Sequence, residues 1–226
     1  MSREPAGVLD EEARRRLRIV LDLLAEERAS VSSVVDERAW QVHVADSLTG
    51  LELAELREAG RIADIGAGAG FPGLVLAVAL PQARVDLVES VGRKCEFMRR
   101  AAAAAEVSNA RVLNLRSEDL ASEQGREAYD AVTARAVGRL STLAELASPL
   151  LKPNGTLVAW KGRRDPDEER QLAAASPELA MEAEQILDVG DRAGSRHRHL
   201  HLIRKAGPTP PGLPRRPGMA KKRPRG

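Results

Sequence analysis

At 226 residues the chain is long enough for one α/β domain with an extension, and its 43% hydrophobic content supplies an almost wholly aliphatic core. Two Trp, one Tyr and two Phe are too few for base-stacking platforms, and the single Cys95 excludes a disulfide framework or a multi-cysteine metal site. The net charge of +2 conceals an asymmetry: residues 192–226 hold eleven of the 35 Lys and Arg and none of the 33 acids, leaving 24 basic against 33 acidic residues before them, a net −9. An acidic body with a basic end points to a polyanionic partner.

The N-terminal Met-Ser-Arg-Glu-Pro carries no apolar leader and no run is long enough to span a bilayer, so a cytoplasmic protein without membrane contact is expected. Residues 10–28 place Leu17, Val20, Leu21 and Leu24 at helical spacing. Asp36 is a candidate N-cap for a second helix with Trp40, Val44 and Leu48 on one stripe. On that helix His43 and Asp46 stand three apart, as a local helix contact or as part of a substrate mouth.

Ile62, Ala63 and Ile65 form a first strand, which breaks into alternating Gly66, Gly68 and Gly70. Bare backbone there lets a ligand approach closely. Pro72 precedes an apolar helix from Leu74 to Leu80. Gly68 to Gly73 satisfies G-x-G-x-x-G, but Pro72 interrupts the phosphate turn and Asp64 would repel a pyrophosphate. Asp-x-Gly-x-Gly-x-Gly suits instead a ligand with a positive ammonium group and no phosphate, which is the pattern for S-adenosylmethionine. Residues 84–89 alternate as a second strand ending in Glu89, placed to accept hydrogen bonds from ribose hydroxyls.

A helix from Ser90 or Gly92 to Ala105 carries Cys95 as a core thiol. Residues 111–115 are a third strand, followed by Ser117-Glu118-Asp119, which suits adenine; Ser117 also fits as the cap of a short helix. Residues 129–134 are a fourth strand followed by Arg135, a cation at an apolar strand end that must find a partner. A helix covers about 140–150, residues 152–155 are a turn, and 156–160 a fifth strand followed by the basic cluster Lys161, Arg163 and Arg164. A polar helix occupies roughly 166–175. Residues 184–188 and 198–203 close the fold as a hairpin at a sheet edge. His197, His199 and His201 alternate there, a spacing that can hold zinc but reads better as the polar face of an edge strand over Leu200 and Leu202; no metal is expected. The proline-rich end, 208–226, excludes regular structure and fits either a disordered solubilising tail or an arm that orders on RNA.

Strand–helix alternation with two closing strands argues for a Rossmann-like class I S-adenosylmethionine-dependent methyltransferase fold: a mostly parallel sheet, a C-terminal antiparallel hairpin and an N-terminal helical extension. The divisions are 1–58 for the extension, 59–205 for the cofactor domain and 206–226 for the tail. No Asn/Asp-Pro-Pro-Tyr follows the fourth strand, which points away from exocyclic amines as methyl acceptors. A ring nitrogen with a free lone pair needs no general base, and no nucleophile–base constellation is present. A small-molecule methyltransferase, a nucleotide-dependent dehydrogenase and an RNA-binding module without catalysis compete with this reading. The glycine loop and Glu89 speak against the last, and the basic tail favours RNA over a small substrate.

The segments 64–74 (Asp-Ile-Gly-Ala-Gly-Ala-Gly-Phe-Pro-Gly-Leu), Gly92-Arg-Lys94 with Phe97, Ala134-Arg-Ala136, Lys161-Gly162, 43–48 and the tail 214–222 together resemble the GidB family, also called RsmG. The likeness runs from about residue 36 to 203, with Gly-Phe-Pro-Gly as its most specific part; the tail departs in Leu213, where the family often has an aromatic. The resemblance implies methyl transfer from S-adenosylmethionine to N7 of a guanine, position 527 of 16S rRNA in the small ribosomal subunit, by a monomer. It implies cofactor contacts at Gly66, Phe71, Ser117, Glu118 and Arg135, alongside Asp64, Gly68, Gly70 and Glu89 from the loop and strand ends, with Arg135 also the catalytic candidate. RNA contacts are expected from Arg93, Lys94, Arg139, Lys161, Arg215, Arg216, Lys221, Lys222 and Arg223. The alternative acceptors are another RNA or a small molecule.

Overall fold

The computed structural model describes residues 9–27, 34, 38–190 and 197–226; Asp36 and residues 191–196 lie outside them. Seven strands form one sheet: β1 (Arg61–Ile65), β2 (Arg84–Val88), β3 (Ala110–Leu113), β4 (Tyr129–Arg135), β5 (Leu151–Lys161), β6 (Met181–Asp188) and β7 (His199–Lys205). Their order is β3-β2-β1-β4-β5-β7-β6. The first five run parallel, and β7 is antiparallel to both β5 and β6.

The central strands are largely apolar because both sheet faces are covered, with Asp64 and Thr133 as buried polar exceptions. Ile62, Ala131 and Val158 point to one apolar cluster, shared with α1 (Glu11–Glu26), α4 (Gly73–Ala79) and α5 (Gly92–Ala104). Ala63, Val132 and Leu157 point to the other, shared with α6 (Ser117–Ser122), α7 (Leu140–Ala147) and α8 (Pro166–Leu179). Asp10 caps α1 by accepting from the Ala13 N–H at 2.7 Å, and Leu17, Val20 and Leu24 form its buried stripe. Cys95 is fully buried.

Four sequence readings are corrected. The single helix expected around residues 40–48 is a π-helical turn (Trp40–Ala45), a short α2 (Asp46–Leu48) and a 3-10 turn (Thr49–Glu52), with α3 (Ala54–Arg57) after it. Residues 152–155 do not separate two elements: they belong to β5 as a bulge, four residues against the single Asp130, with Asn154 at φ 68° supplying the turn-like backbone. The histidine strand is not an edge; β6 is, and β7 lies between it and β5, so His201 is buried and His197 precedes the strand. The proline-rich tail is neither structureless nor detached: Leu213 and Ala220 are buried and Met219–Lys222 form α9.

Gly73 opens α4 directly beneath β1 and β2. A Cβ there would drive into the Leu87 side chain and stand 2.7 Å from Asp64 Oδ2. Gly73→Ala is therefore expected to destabilise the protein by about 2 kcal/mol in denaturant melts, the cost of overpacking a filled core.

Candidate active site

The chain progresses outward from β1 to β2 and β3, then returns to β4 on the other side, so the topological switch falls between β1 and β4. Ligands of open α/β sheets sit outside the carboxyl ends of the strands at that switch. A cavity of about 230 Å³ opens there, with Gly66, Glu89, Ser117 and Glu118 in its wall. That volume lies below the ~300–1,000 Å³ usual for complete ligand pockets, and the open glycine loop lies beside it. A larger hollow of about 570 Å³, between Arg61, Arg84 and Arg111, lies at the amino ends of the strands, where the fold offers no loop–helix ligand cradle.

The loop from Gly66 to Gly70 supplies that open surface. Gly66 adopts φ 64°, and a Cβ on it would stand 2.7 Å from Val137, so no other residue fits. A Cβ on Gly68 would meet nothing nearer than 3.8 Å, which leaves its backbone open to a ligand. Glu89 holds the loop from below: Oε2 accepts from the Gly68 N–H at 3.0 Å and Oε1 from the Val91 N–H at 2.8 Å. Each oxygen keeps a second lone pair, and Glu89 lines the cavity.

Asp64 departs from the role expected for it. It is fully buried, with Oδ2 accepting from the Gly73 N–H at 2.9 Å and Oδ1 from the Thr133 hydroxyl at 3.0 Å. Both oxygens thus serve the protein, tying the loop exit to β1 and β4 rather than meeting an ammonium group. Burial, only partly offset by these bonds, raises its pKa to about 7.

Phe71 likewise turns from the cavity. Its ring stacks on the His43 ring at 4.5 Å and 14°, inside the core. Ser117 is the first residue of α6, following Arg116 as cap, and does not cap the helix itself. Its hydroxyl donates to Glu118 Oε2 at 3.2 Å, while Glu118 Oε1 accepts from the backbone N–H of Gly218 at 2.7 Å.

Arg135, at the end of β4, is held by the N-terminal layer. Nη1 donates to Asp46 Oδ2 and to the Val42 carbonyl, both at 3.0 Å, and Nη2 approaches His43 Nδ1 at 3.2 Å. His43 Nε2 faces the Val34 carbonyl at 2.9 Å, so a neutral ring protonated at Nε2 satisfies both contacts; burial lowers its pKa in the same sense. Burial also pulls the Arg135 pKa down, and Asp46 opposes that pull. Two of the five Arg135 N–H groups have no acceptor among the described residues. His43 and Asp46 stay close enough for the ring to feel the carboxylate, and together they grip a distant arginine. Spacing could not have revealed it; the charge that Arg135 carries beside an apolar strand end was the only signal.

The basic candidates separate into two groups. Arg93, Lys94, Arg216, Lys221, Lys222 and Arg223 make no ion pair among the described residues and stay at least partly exposed. Lys161 is paired with Glu168 at 2.6 Å, Arg139 donates to Gln171 at 2.8 Å, and Arg215 donates twice to Glu145 at 2.5 Å. Among the described residues no group of three His, Cys, Asp or Glu could hold a metal ion, and no helix is long and apolar enough to cross a membrane.

Comparison with known proteins gives a consistent result. The sequence profile of the family described as "rRNA small subunit methyltransferase G" (GidB) matches residues 20–200. The chain is 38% identical over 99% of its length to the "Ribosomal RNA small subunit methyltransferase G" of Rubrobacter xylanophilus, covering 85% of that protein. It is 40% identical to the protein of that name from Sorangium cellulosum, over 86% of this chain and 80% of the relative. Among solved structures, an O-methyltransferase from Bacillus cereus in complex with SAH superposes with a TM-score of 0.56 at 16% identity, over 87% of this chain and 92% of that one. It shows the shared Rossmann-like methyltransferase fold.

Two measurements probe the site. In Asp64→Asn the titrating group is gone. The folded-state pKa of Asp64 lies above the unfolded one, so its contribution is greatest below about pH 4 and is lost as pH rises through about 7. The stability of the parent relative to this variant should therefore fall between those pH values, by no more than about 4 kcal/mol, and be flat above them. Asp46→Ala leaves Arg135 buried without its charge partner and should cost roughly 3 kcal/mol in chemical denaturation, with Asp46→Asn costing less.

Proposed function

The chain belongs to the rRNA small subunit methyltransferase G family, and on that premise we propose that it transfers the methyl group of S-adenosylmethionine to N7 of a guanine in 16S rRNA of the small ribosomal subunit. The observation that carries this reading is the family match itself, which spans the N-terminal layer and the glycine loop together.

The residues present fit the cofactor. A loop with an open backbone at Gly68 lies beside a nucleoside-sized cavity, and Glu89 keeps lone pairs for ribose hydroxyls. Ser117 and Glu118 lie at the adenine side, and the unassigned N–H groups of Arg135 suit an anionic group such as the cofactor's carboxylate. S-adenosylmethionine, when bound, would supply a methyl group already activated on a sulfonium, with neutral S-adenosylhomocysteine as the leaving group. No side chain then has to remove a proton, which agrees with His43 being turned into the protein and used to hold Arg135. The protein's task is alignment and exclusion of water. Arg135 contributes as a fixed group, with Asp46 and Val42 setting its position before any ligand arrives. The unpaired Arg93, Lys94, Arg216, Lys221, Lys222 and Arg223 are the surface offered to RNA phosphates.

Incubation with tritiated S-adenosylmethionine and small subunits from cells lacking the enzyme, followed by mapping of the label, tests the reading. Label at N7 of a single guanine is the expected result; label on an exocyclic amine or a ribose hydroxyl would replace the proposed acceptor. Gly68→Val puts a side chain at φ 60° in the ligand's path and should abolish cofactor binding in calorimetry, with circular dichroism reporting whether the variant is folded.

A further inference from the structure

The tail is fixed from one end to the other by groups that only an intact segment satisfies. Lys205 is fully buried, its Nζ donating to Glu127 at 2.9 Å, the Leu151 carbonyl at 2.7 Å and Thr209 Oγ1 at 2.6 Å. Thr209 in turn donates to Glu127 through both its backbone N–H and its hydroxyl. Leu213 then enters the apolar cluster of α7 and α8. Arg215 reaches Glu145, whose side chain is only 2% exposed, with two hydrogen bonds of 2.5 Å. A carboxylate buried to that degree requires a charged partner, and the tail provides it.

The segment after Arg215 turns toward the strand ends. The Gly218 N–H donates to Glu118 Oε1, Ala220 is buried, and both Ala220 and Lys221 line the cavity that holds Glu89, Ser117 and Glu118. The body of the domain supplies only part of that wall; the tail closes the remainder.

We propose that residues 213–222 form a wall of the nucleoside pocket, locked by the Arg215–Glu145 and Gly218–Glu118 contacts, so that the cofactor and the docked tail stabilise one another. The inference rests on the cofactor reading above and adds the tail to it. Arg215 acts here as a positioning residue, and its side chain is withdrawn from RNA. Arg216, Lys222 and Arg223 on the same segment stay exposed.

Coupling between two sites is reciprocal. If opening the tail weakens the cofactor product S-adenosylhomocysteine by about tenfold, saturation with that ligand must reduce the open population by the same factor, a free energy of about 1.4 kcal/mol. Proteolysis reads that population when opening is fast. Trypsin can cut after Arg215, Lys221 and Lys222, whereas Arg216 and Arg223 precede prolines.

The test uses the full chain. S-adenosylhomocysteine affinity is measured by calorimetry for the parent, for Arg215→Ala and for Glu145→Gln/Arg215→Gln, which removes both charges and leaves no orphan carboxylate. Tryptic cleavage within the tail of the parent is followed with and without the ligand. The expected result is binding by the parent, about tenfold weaker binding by both variants and about tenfold slower cleavage of the ligand-bound parent. Parent binding with unchanged variant affinity and ligand-independent cleavage would overturn the wall while leaving the cofactor reading intact. A parent that does not bind S-adenosylhomocysteine would overturn both.

Discussion

A single buried carboxylate organises this molecule. Asp64 joins the end of β1 to the loop exit through Gly73 and to β4 through Thr133. The loop between them is short and glycine-rich, so fixing both ends fixes its path. Thr133 and Arg135 alternate onto the same face of β4, which brings the arginine close enough for Asp64 to feel its charge. Desolvating the acid is unfavourable, and the two hydrogen bonds recover only part of that. Its two oxygens, one on the Gly73 N–H and one on the Thr133 hydroxyl, nevertheless hold three segments in one register.

The N-terminal layer grips the carboxyl ends of two central strands. Asp46 binds Arg135 with its side chain, while its carbonyl accepts from Trp160 Nε1 on β5 at 2.9 Å. One residue thus spans two adjacent strands at their carboxyl ends. The π-helical turn just before it widens the helix by a residue and brings Val42, His43 and Asp46 to bear on the same guanidinium.

Most of the scaffold could be read from the chain because its signals are local. The apolar runs at 62–65 and 129–134, the alternating glycines and the turn residues each encode their own conformation within a few positions. What escaped was pairing across distance. Asp46 and Arg135 are 89 residues apart, Glu145 and Arg215 are 70, and Glu118 and Gly218 are 100. Charge marked Arg135 as needing a partner without saying which, and nothing local marked Glu145 or Gly218 for theirs. Asp64 illustrates the same limit: its place beside the glycines was legible, but its orientation was set by Thr133 on another strand. The tail misled for a different reason. Proline density excludes helix and strand, yet it also lowers the entropy lost when a segment docks without either.

The sheet ends in β6, where Glu182, Glu184 and Gln185 face solvent and the register slips between Ala183 and Gln185. A second chain adding a strand to that edge would have to follow the irregularity and lay its own residues among carboxylates about 5 Å away. A parallel sheet assembles through slow, long-range contacts and exposes its edges meanwhile. The charged, bulged border guards against edge-to-edge association during that interval, and so protects the yield of folded protein rather than its stability.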